Sequence, residues 1–248
     1  MRVVSVTFDY GESRSYARLM ATFRASCARH MPDAAFDELR LTAPQLRPGY
    51  SQGHNSNTVK LRAWAKYMRT ATEPVVFCDC DMLCLGDLAP AFAGNFDVAY
   101  TERTQADKIA LNGGVVFVKP TDGARALVER WCEINEKMFT DHTLHDYWRS
   151  RVRTPKGGSF CGMNQAAFGC LLHTAKKLGR IAALPCAVWN ACNEDWPAVG
   201  PETRMVHIKG ELRHFCLTGE IKIVAGKSPH AVAPVIRKLG GMWREYGF

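Results

Sequence analysis

The amino-acid sequence predicts an α/β protein in which helices flank a mostly parallel sheet. Two continuous apolar runs, residues 75–78 and 115–118, are typical of strands that are buried on both faces of such a sheet. Segments with helical spacing of apolar residues alternate with the predicted strands, which favours a doubly wound sheet that binds ligands at the carboxyl ends of its strands. The chain has no repeat, low-complexity tract or clear linker, so we predict a single domain over residues 1–248.

The predicted elements begin with a strand over residues 2–8, which a polar turn follows. The first helix carries apolar residues such as Leu19 and Phe23 on one face, as expected of a helix that packs on a sheet. A loop rich in Pro, Gly and Asn, residues 44–57, precedes the second helix, which is broken at Pro74. The predicted helices cover residues 14–30, 58–70, 121–138 and 163–178.

The composition is that of an ordinary globular protein, with 47% hydrophobic and 23% charged residues, enough apolar material for one substantial core. No apolar stretch approaches the length that spans a bilayer, and the first residues turn polar too soon for a signal peptide. We therefore expect a cytoplasmic protein whose ten cysteines are free and mostly buried. The sequence contains neither Gly-x-Gly-x-x-Gly nor a Walker A lysine loop, which argues against dinucleotide dehydrogenases and P-loop kinases.

The formal net charge of +8 is distributed unevenly along the chain. Between Arg149 and Asn193 there are seven basic residues and no acidic residue: Arg149, Arg151, Arg153, Lys156, Lys176, Lys177 and Arg180. This basic block, residues 149–180, fits either a surface that faces a polyanion or a solvated face.

The carboxy-terminal segment, residues 232–244, combines apolar positions with Arg237, Lys238 and Arg244. An amphipathic segment of this kind lies either on a membrane or on the protein itself. A break expected at Gly240 and the glycine after it favours docking on the protein's own core.

A pair of aspartates follows the buried strand 75–78 directly. Asp79 and Asp81 are two residues apart, so on an extended backbone both carboxylates point the same way. Such a pair also arises by chance in solvated turns, but its position at the end of a parallel-type strand favours a ligand site. Two hard oxygen ligands that leave other coordination positions open suit Mg²⁺ or Mn²⁺ bridging a diphosphate. The ion would stabilise negative charge on a departing nucleoside diphosphate.

Five motifs, in order along residues 57–213, resemble those of the glycogenin-like, family 8 glycosyltransferases. They are the helix and Asp-x-Asp strand within 57–81, Leu111-Asn112-Gly113-Gly114-Val115, the segment 158–165, Leu184-Pro185 with Trp189-Asn190, and His207-x-x-Gly210-x-x-Arg213. The resemblance implies a GT-A fold, which is a Rossmann-like, mostly parallel sheet. It also implies a hexosyltransferase that uses Mn²⁺, or Mg²⁺, and a UDP-sugar as donor.

The resemblance further implies which residues form the donor site. The metal ligands would be Asp79, Asp81 and His207, and imidazole together with carboxylates favours Mn²⁺ over Ca²⁺. The residues implied to bind the nucleotide sugar are Thr7, Tyr16, Lys60, Asp79, Cys80, Asp81, Asn112, Gly113, Asn164, Gln165, Gly210 and Arg213.

Several of these residues have alternative interpretations. A lone histidine in an apolar segment is more often a core residue, and the nearby Asp-x-Asp reverses that estimate for His207. Lys60 would neutralise phosphate, pair with an aspartate of the site, or lie in solvent. Arg213, at the position of the family's lysine, would fork onto phosphate oxygens or lie on the surface. Tyr10 competes with Tyr16 for stacking on uracil.

Three further side chains are not expected to take part in catalysis or metal binding. Trp189 is expected to be a pocket wall or a core aromatic. His142 and His145 lie in a polar segment, so we interpret them as solvated residues and not as a metal pair. Gly210, by contrast, would let the backbone approach the diphosphate.

Two positions depart from the family pattern. Where the family usually has aspartates in the segment that ends at Gln165, this chain has Cys161 and Asn164. Asn164 cannot serve as a carboxylate nucleophile, which excludes covalent double displacement from that position. We therefore expect a front-face, retaining transfer with Asn164 and Gln165 as the catalytic residues. A carboxylate from elsewhere, such as Asp107, would instead act as a base and invert the anomeric centre.

The leading hypothesis is a Mn²⁺-dependent glycosyltransferase that moves a hexose from a UDP-sugar to a hydroxyl acceptor. Candidate acceptors are a hydroxymethylated base in nucleic acid, a lipo-oligosaccharide (an anionic membrane glycolipid), and a protein or small molecule. The missing aspartates keep open a pseudoenzyme that binds sugar nucleotides without turning them over. The paired aspartates and basic surface keep open a metal-dependent nuclease.

Overall fold

The computed structural model describes residues 1–9, 15–42, 48–103, 111–151, 162–175, 177–221 and 229–247. The strands in these ranges are β1 (Arg2–Asp9), β2 (Ala35–Thr42), β3 (Val75–Cys78), β4 (Met82–Cys84), β5 (Val98–Glu102), β6 (Leu111–Val118), β7 (Ile181–Pro185) and β8 (Met205–His207). The helices are α1 (Ser15–His30), α2 (Gln52–Met68), α3 (Asp122–Thr140), α4 (His142–Arg151), α5 (Met163–Thr174), α6 (Cys186–Trp189), α7 (Gly210–Thr218) and α8 (Pro229–Arg244).

Six strands form the main sheet in the order β2-β1-β3-β6-β5-β7. β1 pairs in parallel with β2 and β3, and β5 pairs in parallel with β7, so the sheet is mostly parallel, as predicted. β6 runs antiparallel to both of its neighbours, although its apolar run predicts a parallel strand. All of its residues are buried. The apolar run therefore indicates that the strand is buried on both faces of the sheet, but it does not indicate the direction of the strand.

The predicted elements are present, with shifts at their ends. α2 begins six residues before the predicted start at residue 58, at Gln52. The hydroxyl of Ser51 accepts the backbone N–H of His54 at 3.3 Å, which caps the first turn inside the predicted loop. The sequence does not predict β2 or α4, because charged residues interrupt the apolar pattern of both.

Side chains of β3 alternate between two apolar layers. Val75 and Phe77 face the layer formed with α2, α3 and α5, where the Phe77 ring stacks on Trp64 with centroids 4.8 Å apart. Val76 and Cys78 face the layer formed with α1. All four residues of the strand are fully buried. Packing on both faces fixes β3, and with it the position of the aspartates that follow.

The cysteines of the described ranges are unpaired, and eight of the nine are buried. This agrees with the predicted buried thiols; Cys161 lies outside the described residues. None of the helices in those ranges is both long enough and apolar enough to cross a bilayer.

The carboxy-terminal helix α8 docks on the protein's own core, as predicted. Ile236, Leu239 and Trp243 are buried in a cluster with Leu212 and Phe215 of α7. The two glycines of α8 do not break the helix, which continues to Arg244. In this packed helix, Gly240 marks a close contact and not a helix end.

Gly240 of α8 lies in close contact with the side chain of Phe215 in α7. A Cβ at this position would lie 2.4 Å from two ring carbons of Phe215, whereas nothing lies within 4 Å of a Cβ at Gly241. We expect Gly240→Ala to destabilise the fold by about 1–3 kcal/mol through overpacking. Gly241→Ala, the matched control, should stabilise it by roughly 0.5–1 kcal/mol because alanine favours the helix. Urea unfolding midpoints measure both; equal midpoints for the two variants would contradict the contact.

Candidate functional site

Asp79, Asp81 and His207 come together beyond the carboxyl end of β3. Nε2 of His207 lies 3.4 Å from Oδ1 of Asp81 and 3.9 Å from Oδ2 of Asp79. One ligand atom from each of the three residues lies within 4.8 Å of the others. Neighbouring ligands of an octahedral divalent cation bound at about 2.1 Å are about 3 Å apart, so small adjustments would fit these atoms around one ion. The structure therefore assembles the three predicted metal ligands.

A small second sheet joins two of these ligands, which are distant in sequence. β4 starts directly after Asp81 and pairs antiparallel with β8, which ends at His207. The N–H of Ile208 donates to the carbonyl of Asp81 at 2.7 Å, and the N–H of Asp79 donates to the carbonyl of Gly114 at 2.9 Å. Backbone hydrogen bonds thus hold Asp79, Asp81 and His207 close to one another without any contribution from a metal.

The backbone of Gly114 leaves the space that the His207 ring occupies. A Cβ at Gly114 would lie 2.7 Å from Cε1 and 2.8 Å from Nδ1 of His207, and 3.2 Å from the amide nitrogen of Asn190. A Cβ atom essentially never lies within 3.0 Å of a non-bonded heavy atom. Three of the five motifs therefore meet at one glycine.

Burial and charge together set the ionisation of the site. Burial opposes the charged form of Asp81, but His207 and Arg213 outweigh it and hold the pKa of Asp81 well below its usual range. Burial likewise opposes the charged imidazolium, yet the Asp81 carboxylate outweighs it and raises the pKa of His207 to about 9. In the absence of a metal, the two groups therefore form an ion pair at neutral pH.

Each aspartate also contacts a cation. Nζ of Lys60 lies 2.5 Å from Oδ1 of Asp79 and 4.9 Å from the centroid of the Trp64 ring. Of the alternatives for Lys60, the structure shows pairing with an aspartate of the site. The guanidinium of Arg213 contacts Oδ2 of Asp81, so Arg213 is part of the site and not a surface charge.

A cavity of about 530 Å³ opens beside these groups. It is lined by Val6, Phe8, Tyr16, Gln52, Gly53, Ser56, Asn57, Lys60, Asp79, Cys80, Asp81 and Arg213. Tyr16 lies under the Arg213 guanidinium at 5.9 Å, whereas Tyr10 is outside the described residues. The Thr7 side chain is not among the lining groups, because its hydroxyl donates to Glu38 at 3.0 Å instead.

The amides of the predicted sugar-binding segments bond to neighbouring groups of the protein. The Asn112 amide donates to Sγ of Cys192 at 2.6 Å and accepts the N–H of Gly114 at 3.2 Å. Gln165 donates to the carbonyl of Leu111 at 2.9 Å and accepts the N–H of Gly162 at 3.0 Å. Both amides thereby fix the start of β6 against its neighbours.

The remaining predicted residues of these segments pack closely around the same strand. Asn164 is buried, and its amide nitrogen would lie 3.4 Å from a Cβ at Gly113. Its backbone carbonyl accepts the indole N–H of Trp131 at 2.8 Å. Cys80 is buried in the apolar layer of α1, where burial raises the pKa of its thiol.

A second cavity, of about 380 Å³, lies next to the segment that follows His207. Its lining includes Arg103, Gln165, Glu194, Trp196, Lys209 and Gly210. Arg103 and Glu194 form a largely buried ion pair at 3.2 Å. Gly210 has φ +54°, which favours glycine, and its backbone is open to this space.

The structure reveals a sulfur cluster that the sequence did not predict. Cys186, Cys192 and Asp195 place ligand-type atoms within 4.8 Å of one another. Sγ of Cys192 accepts from the Cys186 thiol at 4.0 Å and from Nζ of Lys209 at 3.2 Å, besides the amide of Asn112. The hydrogen bond from Cys186, with His207 and Lys209 nearby, holds the pKa of the Cys192 thiol well below its usual range. Because protein donors already surround this sulfur, the cluster is a poorer cation site than Asp79, Asp81 and His207.

A larger cavity, of about 710 Å³, lies along β2 near the amino ends of β1 and β3. Its charged groups are paired with one another: Arg2 contacts Asp37 and Glu73, each at 2.9 Å. This cavity is at the opposite end of the strands from Asp79. Its groups satisfy each other, and we assign no site to it.

The sequence predicts that three other side chains, Trp189, His142 and His145, take no part in catalysis or metal binding. Trp189 packs edge-on against Phe117 with centroids 5.5 Å apart, as a core aromatic. His142 is exposed as expected. The interpretation of His145 as solvated is wrong, since only 4% of it is exposed and its ring lies against His54. α4 turns it inward, and the sequence did not predict that helix.

The basic block is described only in part. The side chains of Arg149, Arg151, Arg153, Lys156 and Lys176 lie outside the described residues, as do Asp107 and Cys161. Within the described part, Arg180 is paired with Asp97 at 3.4 Å and Lys177 is exposed. The polyanion-facing surface therefore stays a prediction from sequence.

Comparisons with known proteins bear on this site. The family model of nucleotide-diphospho-sugar transferases matches residues 22–209, a range that includes Lys60, both aspartates and His207. The sequence has no significant match among curated proteins.

Solved structures share the fold at low sequence identity. The glycosyltransferase GlyE of Streptococcus pneumoniae TIGR4 superposes with a TM-score of 0.58 at 16% identity, covering 99% of this chain and 60% of that one. A glycosyltransferase involved in glycosylation of the major capsid of PBCV-1 gives a TM-score of 0.55 at 12% identity, with 86% and 96% coverage. The galactosyltransferase LgtC, solved with donor and acceptor sugar analogues, gives 0.51 at 13% identity, with 99% and 100% coverage. The predicted GT-A fold is confirmed.

Proposed function

Since the chain belongs to the family of nucleotide-diphospho-sugar transferases, we propose that it transfers a hexose from a UDP-sugar to a hydroxyl acceptor with the aid of Mn²⁺. The observation that carries this proposal is the convergence of Asp79, Asp81 and His207 beside a 530 Å³ cavity. A set of two carboxylates and one imidazole suits Mn²⁺, with Mg²⁺ as the second choice. When bound, the ion supplies positive charge next to the departing nucleoside diphosphate.

The residues around the cavity suit the parts of such a donor. Lys60 and Arg213 bring two positive charges to the place where the phosphates would lie, and an arginine can grip two phosphate oxygens at once. Tyr16, on the cavity wall, offers a flat face for the uracil ring. Gly210 allows the backbone to come close to a phosphate.

We propose that the transfer retains the configuration of the anomeric centre. By its resemblance to the family's segment, Asn164 occupies the position at which double displacement would need a carboxylate nucleophile, and an amide cannot perform that step. The sugar would then be held between Gln165 and the diphosphate, with the acceptor hydroxyl approaching from the same face. The anomeric configuration of the product, determined by ¹H NMR coupling constants, distinguishes this course from inversion by a recruited base.

Donor turnover tests the proposed function and separates it from the pseudoenzyme. The purified protein is incubated with Mn²⁺ and UDP-glucose, UDP-galactose or UDP-N-acetylglucosamine, and released UDP is measured with and without EDTA. Slow metal-dependent release of UDP, above that of an Asp81→Asn protein, supports a transferase. Binding of a UDP-sugar without release supports the pseudoenzyme. Degradation of plasmid DNA in the same buffer would support the nuclease instead.

For the acceptor, we predict transfer to the hydroxyl of a hydroxymethylated base in DNA, because the basic block carries no acid to oppose a polyanion. Affinity for DNA should fall steeply between about 50 and 200 mM salt. Changing Arg149, Arg151 and Arg153 to Glu should weaken DNA binding and leave UDP-sugar affinity nearly intact. Mass spectrometry of digested nucleosides reads out transfer, and sugar found only on a lipo-oligosaccharide, protein or small molecule would contradict the prediction.

A further inference from the structure

Two buried thiols lie side by side just after β7. Sγ of Cys186, the first residue of α6, is 4.0 Å from Sγ of Cys192, and the two are not joined by a disulfide. The carbonyl oxygen of Asn190 lies 2.9 Å from the first sulfur and 3.4 Å from the second. The shorter of these contacts favours a proton on Cys186. Because bonded sulfurs are about 2 Å apart, the two side chains have to close a gap of about 2 Å to form a disulfide.

Polar groups from distant segments converge on Sγ of Cys192. It accepts from the Asn112 amide at 2.6 Å, from Nζ of Lys209 at 3.2 Å and from the Arg103 guanidinium at 3.8 Å. The Asp195 carboxylate is also close, but it accepts the backbone N–H of Cys192, at 3.0 Å. Donors and positive charge at a sulfur favour the thiolate, which is the form that attacks peroxides. These surroundings identify Cys192 as the nucleophile of the pair.

Two other cations near this sulfur are already paired with carboxylates. The His207 imidazolium pairs with Asp81 at 3.4 Å, and Arg103 pairs with Glu194 at 3.2 Å. Lys209 pairs with no carboxylate in the described part of the chain and contacts the sulfur directly. Its ammonium is therefore the charge that is best placed to activate the sulfur.

The second cavity brings small molecules close to this sulfur. Arg103 and Lys209, which both contact Sγ of Cys192, line that cavity of about 380 Å³, and so does Asn193, the next residue in the chain. Cys192 itself is fully buried, so one layer of side chains separates its sulfur from the cavity. An oxidant has to be small to reach the sulfur, which favours hydrogen peroxide over a bulky disulfide.

We propose that Cys192 and Cys186 form a peroxide-reactive pair, in which Cys192 is oxidised first and Cys186 converts the product to a disulfide. The Cys192 thiolate attacks one oxygen of the peroxide, the O–O bond breaks, and the Lys209 ammonium gives a proton to the departing hydroxide, leaving a sulfenic acid and water. Sγ of Cys186 then displaces the hydroxyl of the sulfenic acid, which leaves with the Cys186 proton as a second water. Overall, one peroxide and two thiols give one disulfide and two waters.

The disulfide removes an acceptor that ties separate segments together. Asn112, at the start of β6, and Lys209, next to Gly210, both lose their contact with the Cys192 sulfur. Oxidation is therefore expected to loosen two segments of the donor site and to weaken donor binding reversibly. The oxidation itself goes beyond the proposed function and does not depend on it, whereas this consequence rests on that function.

Peptide mapping of the full chain tests the proposal without relying on activity. Reduced protein is treated with hydrogen peroxide, the remaining thiols are blocked with N-ethylmaleimide in denaturant, and the protein is digested with trypsin. Cleavage after Arg180 and Arg204 releases both cysteines in one peptide, residues 181–204. We expect this peptide to become two hydrogen atoms lighter and to take up no maleimide until it is reduced. Cys27 and Cys84, hydrogen-bonded thiols enclosed by the apolar layer of α1, should stay reduced.

Variants assign the role of each residue. Cys186→Ser should stop at a sulfenic acid on Cys192, which dimedone traps, and Cys192→Ser should leave Cys186 reduced. Lys209→Met should react about tenfold more slowly, because it loses the cation that favours the thiolate. Lys66→Met, which removes an exposed lysine of α2, is the matched control and should react at the wild-type rate. Circular dichroism melts establish that each variant is folded.

Two results would overturn the inference. One is a peptide 181–204 that still takes up two maleimide groups after peroxide treatment, and the other is oxidation of Cys186 at the wild-type rate in Cys192→Ser. Calorimetry of UDP with Mn²⁺ measures the consequence, for which we expect about fivefold weaker binding to the oxidised protein, restored on reduction. Equal affinities would contradict the coupling to the donor site. Failure of the reduced protein to bind UDP would instead count against the proposed function and leave the mapping result unaffected.

Discussion

Asp81→Asn is expected to remove Mn²⁺ binding in the presence of UDP and to lower sugar transfer by about three orders of magnitude. A bound metal contributes several kcal/mol of charge stabilisation in the transition state, and each 1.4 kcal/mol is about tenfold in rate. The amide of Asn has nearly the same shape but no charge, and it also loses the ion pairs with His207 and Arg213. Calorimetry with Mn²⁺ and UDP, together with release of UDP from the donor, measures both effects.

Asp97→Asn provides the matched control for this change. Asp97 is also a buried aspartate paired with an arginine, Arg180 at 3.4 Å, and it additionally accepts the Thr121 hydroxyl at 2.7 Å. Its loss should lower the melting temperature and leave Mn²⁺ affinity and transfer within about twofold. Undiminished transfer by Asp81→Asn, or by the wild type in EDTA, would refute the metal assignment.

The affinity for Mn²⁺ is expected to rise about tenfold per pH unit between pH 7 and 8.5. The pKa of His207 is raised to about 9 in the metal-free protein, so a proton must leave this ring before it can bind the ion. Above pH 7 the phosphates of UDP, with a last pKa of about 6, are nearly fully ionised and add little to the slope. Calorimetry with saturating UDP, repeated in buffers of different ionisation enthalpy, measures the affinity and the proton released.

The same pKa shift fixes the sign of its effect on folding. An imidazolium favoured by Asp81 contributes stability that is fully present below about pH 6.5, the value of an unfolded histidine, and is lost as the pH rises through about 9. Metal-free protein should therefore become less stable with rising pH over the range in which metal binding becomes stronger. His207→Ala should flatten both dependences. A His207→Ala protein that binds Mn²⁺ with the wild-type slope would show that the titrating ligand is another residue.

The central sheet and the convergence of Asp79, Asp81 and His207 could be predicted from the sequence because their signals are local or repeated. A four-residue apolar run with Asp-x-Asp directly after it specifies both the strand and the edge at which the carboxylates emerge. His207 was found through its spacing to Gly210 and Arg213, and the pairing of β4 with β8 brings it to Asp81. The local sequence pattern and the long-range strand pairing therefore both place His207 beside the two aspartates.

Other features depend on contacts that no local pattern reports. The direction of β6 is set by its partners, because apolar residues suit a doubly buried strand of either direction. The pairing of Lys60 with Asp79 joins a helix to a strand end, and sequence alone left it as one of three alternatives. The sulfur of Cys192 accepts hydrogen bonds from Asn112 and Lys209, which lie in distant segments. In the sequence, the only indication of this cluster is that Cys186 and Asp195 lie near Cys192.

The contact between Gly114 and His207 has a consequence for the evolution of the family. Since no Cβ fits at position 114 while an imidazole stands at 207, the two positions cannot change one at a time without a steric or chemical loss. Relatives with a larger residue at the position equivalent to Gly114 should therefore have a residue smaller than histidine at the position equivalent to His207. Such relatives should lack the imidazole nitrogen that would bind the metal. Covariation of these two columns in an alignment would divide the family into metal-dependent and metal-independent lineages before any of its members is assayed.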